Sequence, residues 1–404
     1  MFFISEPPCE YRDPWVATFD QRFKELCAGD RRVAYFYEAP DTSTFRYRVY
    51  NMIQTLRGAE AGIGAAYFCN EDRARFREIV DRAHVIVLCR MRYDDSLNEL
   101  VSRARAQGKP VFYDVDDLVF NVDYAHLILK TLDQDLSHPG VWDHWFAYIS
   151  RMGALQKLCT GAITTNTYLA GRIREFSGLP THVIPNFMNR EQLEVSERIF
   201  KQKAEGGFAR TEEIHLGYFS GTPTHNHDFA MVAAGLSKLM REDPRLRLLV
   251  VGYLELRDSM IEFKDRITFY GLHDFVNLQR LMSLVEINLV PLLDNGFTNC
   301  KSELKYFEAA AVGTLTVATP IHTYANAIED GSTGFLATSI RWEEKIRQAI
   351  EKVENGYAEM AQQARNSVLQ RFAPGPQLQP LLTVLFGSPP VSENPSGTAL
   401  GRVS

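Results

Sequence analysis

Asn295-Gly296-Phe297-Thr298-Asn299-Cys300-Lys301-Ser302-Glu303-Leu304-Lys305-Tyr306-Phe307-Glu308 is the stretch on which the fold turns. A polar, glycine-bearing loop gives way to apolar positions at helical spacing, Leu304, Phe307, Ala311 and Val312, until Gly313 ends the helix. The start of a helix presents unpaired backbone N–H groups and the positive end of its dipole, so it suits an anion. Lys301, Ser302 and Lys305 supply charge and a hydroxyl there, and Asn299 lies in the adjoining loop. The pattern predicts a diphosphate-binding turn, with Glu308 placed to accept hydrogen bonds from the hydroxyls of a ribose.

Outward from this segment, short apolar runs alternate with helix-length stretches. Ile214 to Phe219, Leu246 to Val251, Ile267 to Tyr270 and Val285 to Val290 precede it, and Leu315 to Ala318 follows. An earlier series comprises Arg32 to Tyr37, Val85 to Cys89, Pro110 to Asp114, Gly161 to Thr164 and His182 to Ile184. This alternation predicts an α/β fold of two facing Rossmann-like domains, and 404 residues exceed what one hydrophobic core serves. The charged stretch Glu191 to Arg210 shows no strand run and is expected to link the halves. The expected division is 1–200 for the acceptor, 201–373 for the nucleotide sugar, and a tail, 374–404, whose Pro-Gly-Pro and Ser-Pro-Pro composition packs no core and is disordered at its end. Parallel sheets bind ligands beyond the carboxyl ends of their strands, so a cleft between two such sheets is where chemistry is expected.

With these residues in order, the carboxyl half resembles the family-four-type GT-B glycosyltransferases, the glycosyl transferases of group 1. Leu248-Leu249-Val250-Val251-Gly252, Ile267-Thr268-Phe269-Tyr270-Gly271 and Val285 to Pro291 are similar to that family's three strands before the donor loop. Ile328-Glu329-Asp330-Gly331-Ser332-Thr333-Gly334-Phe335 resembles its Asp-Gly-x-x-Gly turn. The resemblance implies a nucleotide diphosphate-sugar as donor substrate, no required cofactor or metal, and transfer with retention at the anomeric carbon. Its nucleotide contacts would fall on Gly221, Thr222, Gly252, Tyr253, Asn299, Lys301, Ser302, Lys305 and Glu308. Members usually carry an acidic residue eight positions before the ribose-binding glutamate, and here that position is Cys300, so no sugar contact is carried over. The Arg and Lys that relatives place after the first strand of this domain are also missing; Gly221-Thr222-Pro223-Thr224-His225-Asn226-His227 stands there, and His225 is the candidate for the positive charge at the leaving diphosphate.

The amino half holds two further clusters. After its first strand, Arg46 and Arg48 fall near the start of a helix, where the dipole disfavours cations; a donor or acceptor phosphate beside them is the reading that explains them, surface arginines the alternative. Strand Pro110 to Tyr113 runs into Asp114-Val115-Asp116-Asp117, whose carboxylates stand where the cleft is expected. Asp116 and Asp117 are candidates for binding the acceptor hydroxyl or acting as general base, with a divalent-metal site as second reading and helix capping as the bland one. Similar Asp-Val-Asp-Asp stretches occur in bacterial surface-polysaccharide transferases. An aromatic-rich helical stretch, Tyr124 to Tyr148, lies beside this lip; sugars stack on such rings, and core packing explains them as well.

Composition narrows the partners. A net charge of −6 leaves no field for a nucleic-acid backbone. Six scattered cysteines without a C-x-x-C pair argue against zinc or a disulfide framework and for a reducing compartment. No stretch reads as a signal peptide or membrane span. The expectation is therefore a cytoplasmic glycosyltransferase of polysaccharide biosynthesis, working in the cytoplasm or at the inner face of the membrane through peripheral contact. Its acceptor is a glycan, glycolipid or protein. A GT-B-type nucleotide-sugar epimerase and a catalytically silent nucleotide-binding module are the alternatives.

Overall fold

The structure, a computed structural model, describes residues 1–59, 62–221, 226–256 and 258–387. Among these residues twelve strands form two six-stranded parallel sheets. The first contains β1 (Arg31–Phe36), β2 (Ile63–Phe68), β3 (Val85–Cys89), β4 (Val111–Asp114), β5 (Gly161–Thr164) and β6 (Thr181–Val183), in the order β2-β1-β3-β4-β5-β6. The second contains β7 (Ile214–Ser220), β8 (Leu246–Gly252), β9 (Ile267–Tyr270), β10 (Ile287–Val290), β11 (Leu315–Ala318) and β12 (Phe335–Leu336), in the order β12-β11-β10-β7-β8-β9. Helices connect the strands and cover both faces, so β1, β2 and β3 are apolar almost throughout, as strands covered on both sides must be. This is the expected α/β architecture of two facing Rossmann-like domains, the GT-B arrangement.

In each sheet the strand order reverses once, between β1 and β3 in the first and between β10 and β7 in the second. Loops leaving the sheet on either side of a reversal diverge and open a crevice. The Arg46 segment follows β1, Arg90 follows β3, and the Lys301 to Glu308 segment follows β10. Both crevices thus carry the polar residues.

Three sequence expectations need correction. The stretch expected as a linker is an ordered helix, Arg190–Glu205, opened by a capping box in which Asn189 and Gln192 exchange hydrogen bonds; it buries Val195, Ile199 and Phe200. The tail does not stay outside the core: Pro374–Phe386 is a helix with Leu381 and Leu385 buried, and the Arg31 guanidinium lies 5.1 Å from the Phe386 ring centre, back in the first domain. Pro374 at its first position costs no hydrogen bond, which is why a proline-rich start did not prevent it. The expectation of disorder at the far end concerns residues outside those described. Last, β2 was not anticipated.

The amino-terminal segment also ignores the division by sequence order. Phe2 packs in the core of the second domain, and Trp15 in the apolar cluster that both domains share. Between them Cys9 bonds through its N–H to Asn277 (3.0 Å), and Tyr11 meets Phe275 edge-on at 5.4 Å. That shared cluster joins Tyr47, Phe307 and Phe372, the last two rings stacked at 4.9 Å.

One ion pair fixes the first crevice. Arg46–Tyr50 forms a single π-helical turn ahead of the Asn51–Arg57 helix, and Arg48, fully buried, donates to both oxygens of Asp114 (2.8 and 2.9 Å), to Ile184 O (2.7 Å) and to Asn186 Oδ1 (3.2 Å). The anion expected beside Arg48 is therefore a residue of the chain itself, because no ligand can reach a side chain with no exposed surface. Removing one member of such a pair strands a desolvated charge, whereas replacing both does not. Arg48→Met is expected to lower unfolding stability by about 3–5 kcal/mol in urea titration, and Arg48→Met with Asp114→Leu to recover most of that loss.

Candidate functional site

Between the domains lies a cleft of about 700 Å³ into which both strand-order reversals open. Of the residues singled out in the sequence, it brings together Arg46, Asp116, Asp117, Gly221, Lys301, Lys305 and Glu308. Thr222 and His225 fall outside the described residues. Arg48 lies behind the cleft wall, on Asp114. Tyr253 is half-exposed and outside the lining, its N–H bonded to Ser220 O (3.3 Å). Gly252 serves the backbone: at φ +93° it passes so close to β7 that a Cβ would stand 1.8 Å from Ser220 O, so only glycine closes this strand end.

The loop ahead of the Leu304–Ala311 helix is held by its own polar groups. Asn299 donates to Asp294 Oδ1 (2.7 Å) and accepts from the N–H of His322 (2.7 Å), a tie between loops rather than a contact offered to the cleft. Ser302 is buried beside Glu303. Cys300 is fully buried, and with Phe297 it joins the apolar core of the first domain, its carbonyl accepting from Asn166 Nδ2 (2.9 Å). Of Cys300, Lys301 and Ser302, the lysine is the one that lines the cleft.

Two cations meet two carboxylates at the gap, and a third lies beside them. Lys301 Nζ lies 3.1 Å from Asp117, so the two domains touch through an ion pair there. Arg90 donates to Asp116 (2.5 Å) and sits 3.7 Å from Asp117. Arg90 follows β3 in a left-handed conformation, φ +48°, which costs a non-glycine residue free energy and persists where surroundings fix it. Thr44 also donates to Asp116 (3.2 Å). A divalent cation at this pair would have to displace Arg90, and among the described residues no cluster of His, Cys, Asp and Glu has the form of a metal site. The third cation, Lys305, makes no ion pair among the described residues; burial pushes its ammonium down to about 8, with the charge of Lys301 adding to the effect.

Glu308 is 2% exposed, on the Leu304–Ala311 helix. Its Oε1 accepts from the Tyr47 hydroxyl, from Arg46 (3.4 Å) and from Gln192 Nε2 (2.8 Å). Among the described residues Oε2 accepts nothing. One oxygen therefore ties the domains together, while the other has capacity to accept a hydrogen bond and no protein donor among the described residues.

Sequence reasoning missed Tyr47, Arg90 and Gln192. Arg90 had a signal, since it directly follows a strand at the carboxyl edge of a parallel sheet. Gln192 had a weaker one, three positions after Asn189 in a capping-box pattern. Tyr47 had none: its partner is 261 positions away.

Residues 214–355 match the family described as glycosyl transferases group 1, a stretch from β7 through the donor loop and beyond β12. No curated protein matches the chain in sequence. Similar solved structures include Anabaena Alr3699/HepE in complex with UDP and glucose, with 14% identity, covering 87% of this chain and 98% of that one at a TM-score of 0.57. A glycosyltransferase from Rickettsia africae shares 14% identity, covering 87% and 97% at 0.58, and sucrose-phosphate synthase from Thermosynechococcus elongatus shares 16%, covering 87% and 97% at 0.57. At these identities the common property is the GT-B fold.

Lys305 gives the site a pH signature. An anion seated beside this ammonium would be attracted to it while it is protonated, below about pH 8, and would lose that attraction as pH rises through the value. Inorganic pyrophosphate gains negative charge over the same range, so it cannot itself account for a decline. If an anion seats at Lys305, calorimetry with pyrophosphate is expected to show affinity falling about tenfold between pH 7 and 9, with the decline abolished in Lys305→Met.

Proposed function

We propose that this protein is a glycosyltransferase that moves a sugar from a nucleotide diphosphate-sugar to an acceptor hydroxyl, in the synthesis of a surface glycan or glycoconjugate. One observation carries the reading. Two lysines and a half-satisfied glutamate of the second domain share a cleft with paired aspartates of the first, at the strand-order reversals of both sheets.

In this reading the diphosphate lies against Lys301, Lys305 and the start of the Leu304–Ala311 helix, and a ribose hydroxyl donates to Glu308 Oε2. Phosphate oxygens compete with Asp117 for Lys301, so donor binding frees that carboxylate to orient the acceptor. Asp116 and Asp117 are each held by a cation, which suits holding a hydroxyl better than stripping its proton. As the bond between the anomeric carbon and the phosphate oxygen breaks, that oxygen becomes basic. It takes the acceptor proton while the acceptor oxygen bonds to the same face of the sugar, and the configuration is retained. The lysines stabilise the departing diphosphate without a metal.

The UDP in the complex of the Anabaena relative makes a uridine nucleotide the first donor to test. Among the described residues no helix is long and apolar enough to cross a membrane, and all six cysteines are free thiols; the proposed setting is the cytoplasm, with any membrane contact peripheral. The acceptor is a glycan, glycolipid or protein.

UDP is expected to bind in calorimetry. Glu308→Ala is expected to weaken it roughly tenfold or more through loss of the ribose contact. Asp117→Asn should lower the transfer kcat by about tenfold or more without weakening UDP binding, since it removes the carboxylate that competes for Lys301. If no nucleoside diphosphate binds the unaltered protein, the reading is wrong; donor turnover without acceptor would make the protein an epimerase instead. Inversion at the anomeric carbon of the product, read by NMR, would overturn the proton path.

A further inference from the structure

The helical hairpin beside the acceptor lip carries more aromatic surface than its own packing uses. Ala125–Thr131 and Pro139–Gln156 are its helices. Along the second, Trp142, Trp145, Phe146 and Tyr148 recur at spacings of three and four, which puts them on one side of the helix. Only Ile149, Met152, Gly153, Leu155 and Gln156, in its last two turns, are buried. Phe146 is 44% exposed, and Trp142 and Trp145 are half-buried.

The rings form two connected files. His126 stacks on Trp142 (6.1 Å, 19° between planes), which leads to Phe146 at 6.1 Å. His144 stacks on Tyr148 (6.2 Å, 23°), and Trp145 meets Tyr148 edge-on at 5.6 Å. The second file runs into the cleft: Trp145 lines it, with its indole N–H directed to Gln134 Oε1 (3.4 Å), another lining residue. The Arg92 guanidinium lies 5.2 Å from the Tyr148 ring centre. Across the mouth, His227 of the second domain bonds Asp133 at the turn of the hairpin (2.8 Å).

Charge decides what such a surface accepts. Residues 121–156 contain Asp123, Asp133, Asp135 and Asp143 against Lys130 and Arg151, and the neighbouring guanidiniums of Arg92 and Arg172 are paired with Glu38 and Glu175. An anionic leaflet or a phosphorylated chain is repelled by that balance. A neutral polyhydroxylated chain is favoured: its C–H faces lie on aromatic rings, and its hydroxyls find carboxylate, imidazole and amide partners between them.

We propose that the hairpin is an extended acceptor subsite for a neutral oligosaccharide. Its reducing or branch-distal units lie on Trp142 and Phe146, while the unit carrying the attacking hydroxyl passes Trp145 towards Asp116 and Asp117. The proposal rests on the glycosyl-transfer reading and adds the acceptor's chemistry: a glycan already several units long and free of phosphate along the stretch held by the hairpin.

The tryptophans provide the test. Of the four in the chain, Trp15 and Trp342 are buried at 5% and 2% exposure, so quenching by acrylamide reports on Trp142 and Trp145. The probes are glucose, the hexasaccharides of the malto-, cello- and chito-series, an array of neutral glycans, and phosphatidylglycerol vesicles. At least one neutral oligosaccharide is expected to bind on the array and to protect the tryptophans at concentrations where glucose does not. Phe146→Ala, at an exposed position where folding is not at stake, is expected to weaken that binding by about tenfold. Trp145→Phe should retain binding that Trp145→Ala loses. UDP binding is measured in the same samples. Absence of UDP binding removes the transfer reading; UDP binding with no oligosaccharide bound, or with protection by vesicles instead, overturns the subsite alone.

Discussion

The structure depends on how the Glu308 carboxylate is paid for. A carboxylate removed from water is several kcal/mol unfavourable unless its oxygens are met by donors. Those donors come from two separate parts of the chain: Arg46 and Tyr47 after β1, and Gln192 on the helix that bridges the domains. They reach Glu308 only when both domains and the bridging helix hold one mutual orientation. The same orientation brings Lys301 to Asp117 and the carbonyl of Cys300 to Asn166. Apolar packing of Tyr47, Phe307 and Phe372 surrounds this junction and supplies non-directional cohesion, while the carboxylate supplies the direction.

Most of the charge in the cleft is paired before any ligand enters. Arg90 and Lys301 spend their charge on Asp116 and Asp117 and Arg46 spends its own on Glu308, while Lys305, lowered to about 8 by burial, keeps an ammonium that forms no ion pair among the described residues. Under the proposed function such a site exchanges partners instead of acquiring new charge. Each phosphate contact made by a lysine releases or spares a carboxylate, and the carboxylate released is the one nearest the acceptor. The pairs are partly buried, so a lysine that lost its partner without gaining a phosphate would be left poorly compensated. Under that proposal, donor arrival and acceptor orientation would be coupled through this exchange of partners.

Much of this was legible in the sequence, and the limits are physical. Ten of the strands appear as apolar runs because parallel strands covered on both faces must be apolar along their length. β2 escaped because Ile63-Gly64-Ala65-Ala66-Tyr67-Phe68 is apolar but centred on glycine and alanine, which carry no strand preference. β12, only two residues long, gives no periodicity to find. The bridging helix escaped because its charged face outweighs Val195, Ile199 and Phe200 in composition, and the terminal helix because its prolines read as breakers. At the site, residues following strands were found and their partners were not. Arg46 and Arg48 illustrate the difference: both arginines demanded an anion, which is local electrostatics, but that the anions are Glu308 and Asp114 is a fact of topology.

Cys300 shows how a local departure and a distant contact can be one change. Its side chain packs, with Phe297, into the first domain's core at no exposed surface, and its thiol donates to Gly296 O at 3.3 Å. A carboxylate at that position would enter an apolar core; the nearest charges, Asp117 and the already paired Lys301 and Arg172, give it no committed partner. The acidic residue that the resembled family carries there is therefore incompatible with this closure of the domains. Conversely, once the loop from Asn295 to Lys301 is used to clasp the first domain, the position is free of any duty towards a sugar, and a small apolar thiol is what the core accepts. Under the proposed function, sugar recognition would then fall to other groups lining the cleft, among them those on the loops after β1, β3 and β4.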